Sequence, residues 1–395
     1  MANPNKKFIS DNYEEKFDDE QLFTKTIEEM EEAGAWENHC TGDTTLECYD
    51  GPMFLSDVVA KTRVGLDDEA IYDTLQATGS KLFLGTVTGA VPMRVQATSQ
   101  LISTALALRD EKQMADEQDE PVFFQKIYEA ALDGKHRSNR TNQFWICAGK
   151  VSAVGSSDYE IMPIDDVFFE VKQNLVMKFP DLKFVSGYNS FVYTRGVYEI
   201  EGNEKATLEA AYKDMVSRVA KVRTINDMKF MLTIQTSNAK SSAAIVSGII
   251  MADNGIRIPV GTSIRIDHKK RTGSKDNIEL LLDRIPELYA KFCDPKSKFA
   301  EMTATKIYHP RDCLINLCKK AQLPLRLVGP CASNLESFLA GDPVCTMMDV
   351  YISICEMTSV AQTRGLSAQQ IDQLEECIAR ILGYDWTRED YEISA

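Results

Sequence analysis

The sequence predicts an α+β protein: a mixed β-sheet core with packed helices, flanked by N-terminal and C-terminal helical lobes. Three observations carry that expectation. Residues 142–275 hold the densest β-branched and aromatic runs. Those runs alternate with stretches of helical apolar spacing, and on either side, to about Gly134 and from about Asp276, helical spacing dominates. Composition agrees with a folded chain: the 395 residues are 44% hydrophobic and 26% charged, and 59 acidic against 44 basic side chains give a net charge of −15. This is ordinary globular usage on an acidic background, and it excludes collagen, coiled coil and wholesale disorder. The length exceeds what one core usually covers, so three stretches are expected: 1–134, 142–275 and 276–395.

In the first stretch, ten carboxylates and two lysines lie between Asp11 and Glu32. Phe23, Ile27 and Met30 recur there at helical spacing behind Asp19, a plausible cap, which predicts a strongly negative helix with a narrow apolar stripe. Further helices are expected from Asp67 and from Pro121, the latter stopping near Asp133-Gly134. Leu82 to Gly89 has the glycines of a phosphate loop without the Gly-Lys-Ser/Thr ending, so nucleotide hydrolysis is not inferred. Lys135-His136-Arg137-Ser138-Asn139-Arg140 is polar and basic and marks the first boundary.

The middle stretch opens with strands over Trp145–Val154 and Lys183–Ile200, the second broken by turns at Gly187-Tyr188-Asn189 and Arg195-Gly196. Between them Pro163 and Asp165 start a helix with Phe168, Val171, Leu175 and Phe179 on one face. A second helix, from about Glu204 to Asn226, buries Leu208, Tyr212, Met215, Val219 and Val222. Phe230, Leu232 and Ile234 alternate, an apolar run reaches Met251, and Asp253-Asn254-Gly255 turns the chain. In the next strand Ile256, Ile258, Val260, Ile264 and Ile266 share one face, which sends Arg257, Arg265 and Lys269 to the other. The last stretch returns to helices over about 277–292, 312–321, 343–360 and 367–382, the last capped by Ser367.

The cationic row continues through His268, Lys269, Lys270 and Arg271 to Lys275. Fixed positive charge of this kind suits a phosphate backbone, because each neutralised phosphate releases counterions. Lys135, Arg137 and Arg140, with Trp145 just beyond, form a second candidate contact, and Trp145 and Tyr188 are candidate stacking platforms for bases. The plainer readings are a solvated strand face and a solvated linker followed by a buried strand.

No catalytic residues, metal ligands or cofactor are inferred. The four histidines, at 39, 136, 268 and 309, stand in no recognisable relation to a nucleophile, and Gly-x-Ser-x-Gly is absent. Asp165-Asp166 fits a helix first turn. Ten cysteines occur without a Cys-x-x-Cys pair, and His39, Cys40 and Cys48 match no zinc spacing. With no signal-peptide core at the N-terminus and no apolar run near 20 residues, a cytoplasmic protein with free, mostly buried thiols is expected.

Val154-Gly155-Ser156-Ser157-Asp158-Tyr159-Glu160-Ile161-Met162-Pro163-Ile164, Phe184-Val185-Ser186-Gly187, Thr236-Ser237-Asn238, Ile258-Pro259-Val260-Gly261 and His268-Lys269 together resemble a phage- and plasmid-encoded family, domain of unknown function 932. The resemblance covers about 142–275 and more weakly 349–386. The Trp-His-Gly-x-Gly element of that family has no counterpart here, since Trp36 is followed by Glu37-Asn38-His39. The resemblance implies a mobile-element origin, hence the host cytoplasm, and transfers no catalytic residue. Three functions follow as expectations: single-stranded nucleic-acid binding or annealing through the basic strand face; a non-enzymatic protein that self-assembles or sequesters a host protein through the acidic N-terminal helix; or an uncharacterised enzyme. The net charge opposes non-specific duplex binding.

Overall fold

A computed structural model describes residues 7–8, 10, 13–40, 43–48, 54–56, 82–86, 89–94, 96–98, 100–101, 141–216, 227–239, 242–252, 255–261, 263–270, 275–293, 296–340 and 344–392. In chain order its elements are β1 (Glu14–Phe17), α1 (Glu20–Glu32), β2 (Gly34–Cys40), β3 (Thr45–Cys48), β4 (Leu82–Thr86), β5 (Gly89–Pro92), β6 (Thr141–Cys147) and β7 (Lys150–Ser156). Then come α2 (Ile164–Lys178), β8 (Leu182–Ser190), β9 (Thr194–Ile200), α3 (Gly202–Val216), β10 (Met228–Thr236), β11 (Ala244–Ala252), β12 (Arg257–Pro259) and β13 (Ile264–Ile266). The last part holds α4 (Asn277–Cys293), α5 (Lys296–Ala304), β14 (Lys306–Ile307), α6 (Pro310–Lys320), α7 (Leu325–Phe338), β15 (Cys345–Thr346), α8 (Met347–Thr363), α9 (Ala368–Ile381) and α10 (Trp386–Glu389).

The protein is α+β. Its main sheet runs β1-β8-β9-β10-β11-β12, with β13 also on β11, and every ladder in that sheet is antiparallel. One face carries Phe230, Leu232, Ile234, Val246 and Ile250, all buried. Helices α1, α2, α3 and α4 pack on that side, and Phe292 of α4 fits the space left by Gly248. On the other face α8 and α9 lie against β12.

Much of the first stretch, where a mainly helical lobe is expected, lies outside the described residues. Its described residues contain α1 and five strands, and two of those strands pair with the middle stretch, β1 with β8 and β2 with β6. The phosphate-loop look-alike is the β4–β5 hairpin. The helices expected from Asp67 and Pro121, and the proposed boundary at 135–140, lie outside the described residues.

Helix α1 forms where expected. Asp19 accepts from the Leu22 backbone N–H at 2.8 Å, satisfying one unpaired first-turn donor. Phe23, Ile27 and Met30 are buried, and each contributes roughly 1.5–3 kcal/mol. What receives Phe23 is a pair of glycines. Gly187 and Gly196 are cross-strand partners within β8 and β9, not turns, and a Cβ on either would collide with Phe23 or Phe168. Glycine here leaves room for an aromatic ring to touch the sheet backbone. The turn between β8 and β9 falls instead at 191–193, held by the Ser190 hydroxyl, which donates to the Tyr193 carbonyl at 3.0 Å and accepts from its N–H at 3.1 Å. In α2, Phe168, Val171 and Leu175 are buried, with Phe179 just beyond, as their spacing requires. Leu208 and Tyr212 are buried in α3, whereas Met215, Val219 and Val222 lie outside the described side chains. The cysteines with described side chains are free thiols and mostly buried.

Candidate functional site

Strands β12 and β13 do put Arg257 and Arg265 opposite the buried isoleucines, but that face is covered by α9. Arg257 is ion-paired through Nε to Glu375, and its Nη2 donates to the second oxygen at 3.3 Å. Arg195 reaches Asp372 at 2.7 Å. The Tyr193 hydroxyl lies between Gln235 Oε1, at 2.9 Å, and Asp372 Oδ2. Gln235 Nε2 donates to Glu376 at 3.1 Å, and Arg265, at the rim, donates to Asp267 at 3.0 Å and to Glu376 at 3.3 Å. Burial, and after it the like charge of Arg257, hold Arg195 down at about 9. Of the cationic row expected to meet phosphates, Arg257 and Arg265 are thus paired with carboxylates arriving more than a hundred residues later, and with Arg195 they fasten a helix to the sheet.

Trp145 is also corrected. It is 1% exposed, stacked on Trp36 with ring centroids 6.5 Å apart, so no base can reach it. His268 lies parallel to Tyr159 at 5.0 Å, with Nδ1 3.2 Å from the Glu160 carbonyl and Nε2 3.5 Å from Thr236 Oγ1. Burial pushes it down to about 4, so at neutral pH it offers a phosphate no charge. Lys269 is exposed, Lys270 Nζ donates to the Ser157 carbonyl at 2.8 Å, and Lys275 is ion-paired with Asp283. Tyr188 keeps a half-exposed ring whose hydroxyl donates to Glu14 at 3.1 Å, beside open cavities of about 490 and 430 Å³. β9, β10 and β11 separate β8 from β13, which puts Tyr188 about 19 Å from the lysines at four strand spacings. Arg271, Lys135, Arg137 and Arg140 lie outside the described residues.

The short motifs quoted for the family resemblance do converge. Tyr159 pairs with Lys269 in an isolated bridge, and its hydroxyl approaches the carbonyls of Ser237 and Asn238 at 3.4 and 3.5 Å. Glu160 accepts from the Asn277 N–H at 2.8 Å and so fixes the start of α4. Glu31 of α1, which no sequence pattern singles out, accepts from the Ile164 N–H at 3.0 Å and from Asn238 Nδ2 at 2.6 Å. Burial is the main cause that lifts its carboxyl to about 7, with Asp165 and Asp166 adding to it. Three distant segments thus meet at the end of α1 in a polar cluster that organises the N-terminus of α2.

On the outer side of that junction α1 and α2 frame a groove of about 230 Å³. Its floor is Phe23, Ile27, Phe168 and Tyr198; its rim is Glu28, Asp165, Asp166, Phe169 and Lys172. Phe23 meets Phe168 edge-on at 5.4 Å, which sets the helix spacing. Lys172 is ion-paired with Glu20 at 2.6 Å, whereas Glu28, Asp165 and Asp166 make no ion pair among the described residues. Burial first, and after it the like charges of Asp165 and Glu170, raise the Asp166 carboxyl above its ordinary value. Phe169 stands 60% exposed above it and Leu22 of α1 53%. The sequence signal for Phe169 was present: it lies off the stripe formed by Phe168, Val171 and Leu175, so a helical wheel leaves it facing outward.

Comparisons with family models, with curated proteins and with solved structures find no match.

Proposed function

We propose that this chain is a non-enzymatic interaction protein that captures a basic, amphipathic segment of a partner protein in the groove between α1 and α2. The observation that carries it is the pairing of an exposed aromatic and an apolar floor with a carboxylate rim that no described cation neutralises. An amphipathic helix laid in such a groove buries its apolar face against Phe169 and presents lysines or arginines to the rim. Charge complementarity speeds encounter and excludes acidic partners. In the mobile-element setting that the family resemblance implies, the partner is a host protein, and binding it is sequestration. Single-stranded nucleic-acid binding is the weaker reading, because Arg257, His268 and Trp145 are taken up inside the fold and Tyr188 stands apart from the exposed lysines.

Titration with a synthetic amphipathic lysine–leucine peptide tests the groove. Phe169→Ala should weaken binding about tenfold or more, as loss of one aromatic anchor does. Asp165→Asn with Asp166→Asn should weaken it and reduce its salt dependence. Parent-like binding by both variants would reject the groove.

A further inference from the structure

The groove has a titratable group directly behind it, and that group is held by geometry. Glu31 sits one turn beyond Ile27 on α1, and both of its hydrogen bonds arrive at Oε1, from the Ile164 backbone and from Asn238 Nδ2. Asn238 is buried, and its side-chain Oδ1 has no hydrogen-bond partner among the described residues. A buried acceptor without a donor is costly. A proton on Glu31 Oε2 supplies the donor, and the acid and the amide then close a reciprocal pair. The groups facing Glu31 from neighbouring elements favour that state: Asp165 and Asp166 from the first turn of α2, the Tyr159 hydroxyl, and the Cys147 thiol of β6 are either anionic or neutral. Arg94, the cation that acts on Cys147, is engaged by the carbonyls of Phe8 and Ser10 and by Ser152.

Resting on the groove reading, we propose that Glu31 is a proton-linked latch: it is protonated and paired with Asn238 in the free protein, and it releases its proton to solvent when a cationic segment docks against Asp165 and Asp166. Docked positive charge offsets the two aspartates that disfavour the Glu31 carboxylate, so binding and ionisation reinforce each other. By reciprocity the affinity for a basic segment rises with pH around neutrality. Burial, which lifts the Glu31 carboxyl of the free chain to about 7, places the effect in the physiological range.

Calorimetric titration of the same lysine–leucine peptide, in two buffers of different ionisation enthalpy, counts the protons released. The parent should release a fraction of a proton at pH 7 and bind about two- to fivefold more tightly at pH 8 than at pH 6, the effect of lowering one carboxyl by half to one pH unit. Glu31→Gln keeps both acceptor contacts and donates to Asn238 without titrating, so it should bind with no pH slope and no proton release. Carboxyl-carbon NMR of the parent, with the signal assigned by that variant, should find Glu31 titrating near neutrality when free and lower with peptide bound. A Glu31 titration near 4.5, or equal slopes in parent and variant, would overturn the latch while leaving the groove standing. Absence of peptide binding at every pH would overturn the groove and the latch with it.

Discussion

At the scale of single residues, side chains in this protein take their roles from neighbours distant in sequence. Gly187 and Asn189 have the composition of a turn, and the sequence reads them as one. The fold uses Gly187 as a hole for Phe23, which only the approach of α1 could reveal. Gly187→Ala should therefore lower stability by about 1–3 kcal/mol through overpacking, and combination with Phe23→Leu should recover part of that loss, as urea unfolding of the pair and the singles would show. Glu31 and His268 make a second residue-level prediction. Glu31 is raised from 4.5 to about 7, so between those values the folded chain holds a proton that the unfolded chain has released, and stability falls as pH rises. His268 is lowered from 6.5 to about 4, so between those values the unfolded chain holds the extra proton, and stability rises with pH. Each effect is on the order of 3 kcal/mol, and from 4.5 to 6.5 they oppose each other. Glu31→Gln should unmask the histidine: its stability should climb through that window by urea unfolding, where the parent changes less.

Among the elements, those written in local chemistry were legible and those defined by a covering partner were not. The caps of α1 and α9 were readable because Asp19 and Ser367 act within three residues, and the alternation of Ile256 to Ile266 gave the strand faces because its period is local. What lay on the opposite face was not readable. Arg257 looked solvent-facing because Glu375 is more than a hundred residues away, and nothing in the pattern of α9 names its sheet partner. The lock between them yields a sharp expectation. Glu375→Ala leaves Arg257 buried without its partner and should cost about 3–5 kcal/mol, whereas Arg257→Met with Glu375→Leu should restore much of the stability. Equal losses in the single and the double variant, measured by urea unfolding, would mean that the ion pair is not what holds α9.

The whole molecule is acidic, and its first two stretches share sheets. β1 completes one edge of the main sheet and β2 lies on β6, so the described part of the N-terminal stretch is joined to the middle stretch by strand pairing as well as by α1. A protease site inserted between residues 134 and 141 should, once cut, leave two fragments that co-elute in native gel filtration and separate only on unfolding. Independent elution would mean that the two stretches are separate bodies. No helix among the described residues is long and apolar enough to cross a membrane. The net charge of −15 acts at this scale as well, drawing cationic partners and repelling nucleic acid over a Debye length of about 8 Å at physiological salt. Net charge was readable from composition; the place where it gathers beside an exposed aromatic required the packing of α1 on α2. The most direct test sets the two partner chemistries against each other on one sample: fluorescence titration with the lysine–leucine peptide and with a single-stranded oligonucleotide, each across salt. The account predicts that the peptide binds, weakens with added salt and is displaced by neither oligonucleotide nor an acidic peptide, while the oligonucleotide alone gives no binding. Salt-dependent binding of the oligonucleotide with no binding of the peptide would contradict it.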